Sequence, residues 1–163
     1  HLLAHEPAWA ARGAAVASRV RDVTELLAAA GPARGKGAPM RVAYDAPCHL
    51  VHAQRVVDAP LMVLRAIDRL ELAPLIDADQ CCGSAGIFGL LEPAVSASVL
   101  APKIRNIRDT GAEYVASGNP GCLMQIGAGM QRAGLRCRAV HPVDLLDAAY
   151  AAAPMGTASR SEA

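Results

Sequence analysis

Five cysteines, Cys48, Cys81, Cys82, Cys122 and Cys137, are the residues of this chain best equipped for chemistry. Four of them lie in polar or glycine-rich stretches rather than in apolar runs. Cys48 and Cys81 are separated by 32 residues and Cys82 and Cys122 by 39, so the close CxxC pairs of a zinc finger or ribbon are missing. The adjacent pair Cys81-Cys82 serves one small ion poorly, because neighbouring side chains on extended backbone point apart. It suits a larger object, a multi-iron cluster in which each thiolate takes a different iron or one bridges two. Gly83 and Gly86 would let backbone approach such a cluster and offer N–H groups to its sulfurs, and Gly121 opens a helix whose positive end would face it. His49 directly follows Cys48 and is read as a support for the sulfur rather than a ligand. Three other uses of the same thiols stay open: a zinc site built from all four, small buried hydrophobes, and disulfides, which are not expected. Cys137, between two arginines, is read as a core residue.

The elements that must position these residues follow from hydrophobic period and punctuation. A single helix is expected from Pro7 to Ala30 on the stripe Val16, Val20, Val23 and Leu27, ending at Gly31-Pro32, with 31–39 a linker unable to pack. A strand is expected at 41–45, a helix from Pro60, and a second strand at Leu72 to Ile76 whose Pro74 suits an edge. After the loop 79–89, a helix runs from Glu92-Pro93 through Val99, Leu100, Ile104 and Ile107 to Gly111, kinked or split by Pro102. A third strand is placed at 113–117, the loop 118–122 follows, and the next helix ends near Gly134. A fourth strand spans 137–140, and Pro142 starts a last helix with His141 just before it. Strands alternating with helical segments predict an α/β fold, a small mostly parallel sheet flanked by helices. In such a sheet every strand ends on one rim, so loops that follow different strands can bring Cys48, the doublet and Cys122 together. Asp45, closing the first strand, is read as a cap for the next turn.

The 163 residues are 53% apolar and 19% charged, with 16 Lys and Arg against 15 Asp and Glu. That excludes a disordered charged tail and gives no support to nucleic-acid binding. No run approaches the ~18–20 apolar residues of a membrane span. One Trp, one Phe and three Tyr leave a mostly aliphatic core. The expected organisation is a helix at 1–31 leading in from an upstream half, a cysteine-bearing domain at 40–150, and a disordered tail at 151–163.

YDAPCH (44–49), DQCCGSAGIFGLLEP (79–93), SGNPGCLMQI (117–126) and HPVDLL (141–146) together resemble the cysteine-rich CCG domain. That domain occurs in the cysteine-rich subunit of heterodisulfide reductase and in iron–sulfur oxidoreductase subunits such as that of glycolate oxidase. The reductase pattern is a cysteine, a CCG doublet and a CxxC pair, all ligating iron. Here Asn119 occupies the place of the first cysteine of that pair, the form expected of glycolate oxidase relatives. Carried over by position, the resemblance makes Cys48, Cys81, Cys82 and Cys122 the ligands of a 4Fe-4S-type cluster, with Asn119 beside them. It implies an upstream ferredoxin-like segment, a flavoprotein partner whose FAD oxidises glycolate to glyoxylate, and electron passage to a quinone-type acceptor. Lactate and glycerol-3-phosphate systems use related subunits, so each is an alternative setting. A cytoplasmic place follows, with any hold on the inner face of the membrane coming through partners. The fragment by itself would be inactive. Two other functions are carried beside this one: thiol–disulfide chemistry of the reductase kind, and a zinc-stabilised module for assembling a complex.

Overall fold

Short apolar runs joined by long helical segments cannot form hairpins, and the chain resolves them as parallel crossovers. The computed structural model describes residues 3–151. Among these, β1 (Met40–Asp45), β2 (Leu70–Ala73), β3 (Tyr114–Ser117) and β4 (Arg138–Val140) form one parallel sheet in the order β2-β1-β3-β4. This is the α/β class expected, and β2 does lie at an edge, followed by Pro74. The helices are α1 (Ala10–Ala17), α2 (Val23–Ala30), α3 (Asp58–Arg65), α4 (Phe88–Leu91), α5 (Pro93–Thr110), α6 (Pro120–Arg132) and α7 (Pro142–Tyr150). A π-helical turn, His49–Gln54, follows β1.

Alternation along the strands sorts the core into two layers. Val42, Tyr44, Ala116 and Val140 face Val63, Leu64, Leu145 and Leu146, which places α3 and α7 on one side of the sheet. Ala43 and Val115 face Leu100, Ile104, Ile107, Ile126 and Met130, which places α5 and α6 on the other. Cys82 and Cys122 belong to this second layer. Small residues let the helices close in: a Cβ on Gly129 of α6 would sit 2.7 Å from Leu100 Cδ2 and 2.9 Å from Ile104 Cδ1 of α5.

Four expectations need correction. The helix expected from Pro7 to Ala30 is two, because Asp22 caps α2: its side chain accepts from Thr24 N while Glu25 reaches back to Asp22 N. Val16, Val20 and Val23 are consequently exposed, and α1 buries no residue. The stretch 31–39 does pack: Gly35 N donates to Ala66 O and Gly35 O accepts from Asp68 N, at 2.9 and 2.8 Å. Pro102 does not split α5, which stays continuous because Leu100, Ile104 and Ile107 anchor the turns on both sides. The second strand occupies Leu70–Ala73 rather than Leu72 to Ile76. The tail expected at 151–163 lies, beyond Ala151, outside the described residues, as does His1.

Substituting Gly129→Val should destabilise the fold by about 1–3 kcal/mol through overpacking of the α5–α6 contact. A denaturant melt that leaves the midpoint unchanged would contradict the close approach described above.

Candidate metal centre

The sheet reverses its direction of growth between β1 and β3, since β2 is added on one side of β1 and β3 on the other. Backbones leaving such neighbouring strands in opposite senses open a crevice at the carboxyl rim, the usual ligand position of this architecture. Asp45 and Ser117 are register partners at that rim. Cys48 lies in the segment leaving β1, and Cys122 in the segment leaving β3. The doublet arrives from the edge: after β2 the chain returns to the rim, where Ala46 N donates to Ala78 O at 3.0 Å.

Each sulfur has its own local frame. Cys122 is not in a loop, as the sequence suggested, but in the first turn of α6, where Asn119 Oδ1 accepts its backbone N–H at 3.0 Å. Pro120 starts that helix with a preset φ. Cys82 is buried, and its Sγ lies 3.1 Å from Cys122 Sγ, close enough for the two to share one hydrogen bond. Cys81 is exposed, with Gly83 N donating to its Sγ at 3.3 Å. Gly83 has φ +81°, and a Cβ there would come within 2.5 Å of Ser96 O, so the doublet loop lies directly on α5. Ser96 Oγ fastens it by donating to Gly83 O at 2.8 Å, while Gln125 Nε2 of α6 donates to that same hydroxyl at 2.7 Å.

Cys48, Cys81, Cys82 and Cys122 all border one cavity of about 640 Å³, together with Gly86, Asn119 and Gly121. Among the described residues no three His, Cys, Asp or Glu side chains form a ready array for a single metal ion. The sulfurs surround a volume, and they feel one another. Burial pushes the Cys48 thiol up, and charge on Cys81 and Cys82 pushes it further. The hydrogen bond with Cys122 draws Cys82 below the ordinary thiol range; the same bond, then burial, raises Cys122. Full ionisation of sulfurs this crowded is therefore opposed unless positive charge enters among them. A soft cation or a metal–sulfur assembly supplies that charge, and the donor set fits one.

The remaining candidates take other places. His49 does not border the cavity; its Nδ1 meets Asn119 Nδ2 at 3.0 Å, so it supports the residue that caps α6. Asp45 is not a cap. Its Oδ1 pairs with buried Lys103 and its Oδ2 accepts from Ser117 Oγ at 2.8 Å. His141 does cap α7, accepting from Val143 N at 3.2 Å. Cys137 stands apart from the four, beside β4, and burial pushes its thiol up to about 11. Sequence reasoning missed Lys103, Ser96 and Ser117. The signal for Lys103 is legible: it shares the buried stripe of α5 with Leu100, Ile104 and Ile107, where a lone lysine needs a carboxylate.

In protein without bound metal, alkylation of Cys137 should keep accelerating with pH up to about 11, since only its thiolate reacts and burial holds that form back. A rate that levels near pH 9, followed by peptide mass mapping, would show Cys137 to be an ordinary exposed thiol.

Residues 42–127 match the family model of the cysteine-rich CCG domain. The chain is 35% identical over 151 residues to "Probable glycolate oxidase iron-sulfur subunit" of Bacillus subtilis, covering 90% of this chain and 34% of that protein. It is 32% identical to "Lactate utilization protein A" of Geobacillus kaustophilus, covering 91% of this chain and 63% of that protein. The same-named protein of Shouchella clausii is also 32% identical, with 90% and 62% covered. The chain thus spans about a third of the first relative's length and less than two thirds of the other two.

Proposed function

The chain belongs to the cysteine-rich CCG domain family, and we propose that its unit 40–150 holds an iron–sulfur cluster of the 4Fe-4S type through Cys48, Cys81, Cys82 and Cys122. The observation that carries this reading is the meeting of four thiols from three separate segments at one cavity. When bound, such a cluster takes up and passes on single electrons at a potential set by the charges and hydrogen bonds around its sulfurs. The residues have distinct tasks. Gly83 N–H supports the Cys81 sulfur, Asn119 fixes the first turn of α6 under Cys122, and His49 steadies Asn119. Gly86 and Gly121 keep the cavity wall free of side-chain bulk.

The wider reading is an electron-transfer subunit of a flavin-dependent 2-hydroxy acid oxidoreductase. The carbon chemistry belongs to an FAD-bearing partner, and electrons leave to a quinone-type acceptor. The name of the Bacillus subtilis relative supports glycolate, oxidised to glyoxylate, as the substrate of the assembly. Lactate is the second reading, favoured by the names of the other two relatives. Asn119 in place of a further cysteine argues against disulfide-reductase chemistry at this site.

Anaerobic purification of the full-length protein with its partner subunits, followed by iron, acid-labile sulfide and zinc analysis, tests the centre. Cys82→Ser should lose the iron and sulfide that this domain contributes, whereas Cys137→Ser should keep them. Equal losses would mean that the ligand set is wrong, and stoichiometric zinc without sulfide would remove electron transfer. In the same assembly, glycolate should reduce a quinone analogue faster than lactate does; the reverse order would move the substrate to lactate.

A further inference from the structure

Lys103 is 1% exposed, in the middle of the apolar face of α5, and Asp45 is equally buried. A buried ion pair is a weak source of stability, because apolar residues of similar volume often do as well or better. Its presence here calls for another explanation, and its partners supply one. The Lys103 ammonium pairs with Asp45 Oδ1 and donates to Ala78 O at 3.1 Å. Asp45 Oδ2 in turn accepts from Ser117 Oγ at 2.8 Å. Asp45 closes β1 just before Cys48, Ala78 stands just before the doublet, and Ser117 closes β3 just before Cys122. The ammonium thus holds two of the cysteine-bearing segments directly and the third through Asp45.

We propose that Lys103 is a positioning residue for the cysteine centre, fixing the spacing of the three segments and balancing the Asp45 charge beneath the sulfurs. The balance matters because Asp45 and Lys103 are both buried at the base of the segments that carry the sulfurs, so removing the ammonium would leave an uncompensated carboxylate there. A methionine would fill the volume but would provide neither the charge nor the donor to Ala78 O. The electrostatic half of this proposal rests on the redox reading given above; the spacing half does not.

The test uses the full-length protein with its partners, purified anaerobically, as wild type, Lys103→Met, Asp45→Asn and the double variant. Removing the buried positive charge should move the midpoint potential of this domain's centre to more negative values, and Asp45→Asn should move it the opposite way. The double variant, which strands no charge, is the one that keeps folding if Lys103→Met does not. Its potential should return towards wild type. Amide exchange in 79–83 should nevertheless be about tenfold faster in the double variant, the effect of one buried hydrogen bond lost from a locally opening segment. Potentials and electron paramagnetic resonance spectra unchanged in both single variants, or exchange at 79–83 unchanged in the double variant, would overturn the proposal. If wild type contains no iron and sulfide in this domain, the redox reading fails by itself, and the exchange rates alone decide whether Lys103 positions the loops.

Discussion

Parallel strands can be joined only by crossovers, and every crossover begins at the same rim of the sheet. This constraint organises the whole chain. Between β1 and β3 the crossovers depart to opposite sides, and the rim opens there. Residues as far apart as Cys48 and Cys122 become neighbours because each follows a strand whose end is held against the other by the Asp45–Ser117 contact. The doublet is drawn in from the edge by Ala78, whose carbonyl takes one hydrogen bond from Ala46 and another from Lys103.

The two layers of the core do unequal work. The α3–α7 side is aliphatic packing around Val42, Tyr44, Leu145 and Leu146 and carries none of the four clustered cysteines. The α5–α6 side ends in the cysteines themselves, with Cys82 and Cys122 closing its upper limit. Helix α5 therefore has two duties on a single face. Leu100, Ile104 and Ile107 fill the layer, while Ser96 and Lys103 fasten the loop that carries the doublet. Any shift of α5 against the sheet would be felt at the sulfurs, because Gly83 already lies in contact with Ser96.

The site is legible in the sequence to the extent that it depends on residue type. Cysteines set among glycines and polar residues declare themselves, and the strand-then-loop pattern places them on a common rim. The strands at 41–45 and 113–117 and the helix from Pro142 follow from alternation and punctuation that no distant contact overrides. What escapes is whatever depends on partners far along the chain, or on local caps that compete with a longer pattern. The stripe Val16, Val20, Val23 and Leu27 has helical spacing, yet Asp22, capping a new helix through Thr24 N and held in turn by Glu25, breaks it. Pro102 reads as a break because its own cost is local, whereas the burial that outweighs it comes from β1, β3 and α6. Gly35 sits in a stretch without apolar pattern and is held by backbone bonds to 66 and 68, which no periodicity announces. Asp45 reads as a cap for its nearest turn, although its true partner is 58 residues away.

The doublet also has a directional consequence. Cys81 is exposed and Cys82 is buried, although both border the same cavity. On the Cys81 and Cys48 side, mobile ions can gather within a Debye length of about 8 Å at physiological salt. On the Cys82 and Cys122 side, protein occupies that volume and excludes them. A centre held by all four would meet the medium mainly beside Cys48 and Cys81, and a docking protein or a change of electrolyte would act on it from there.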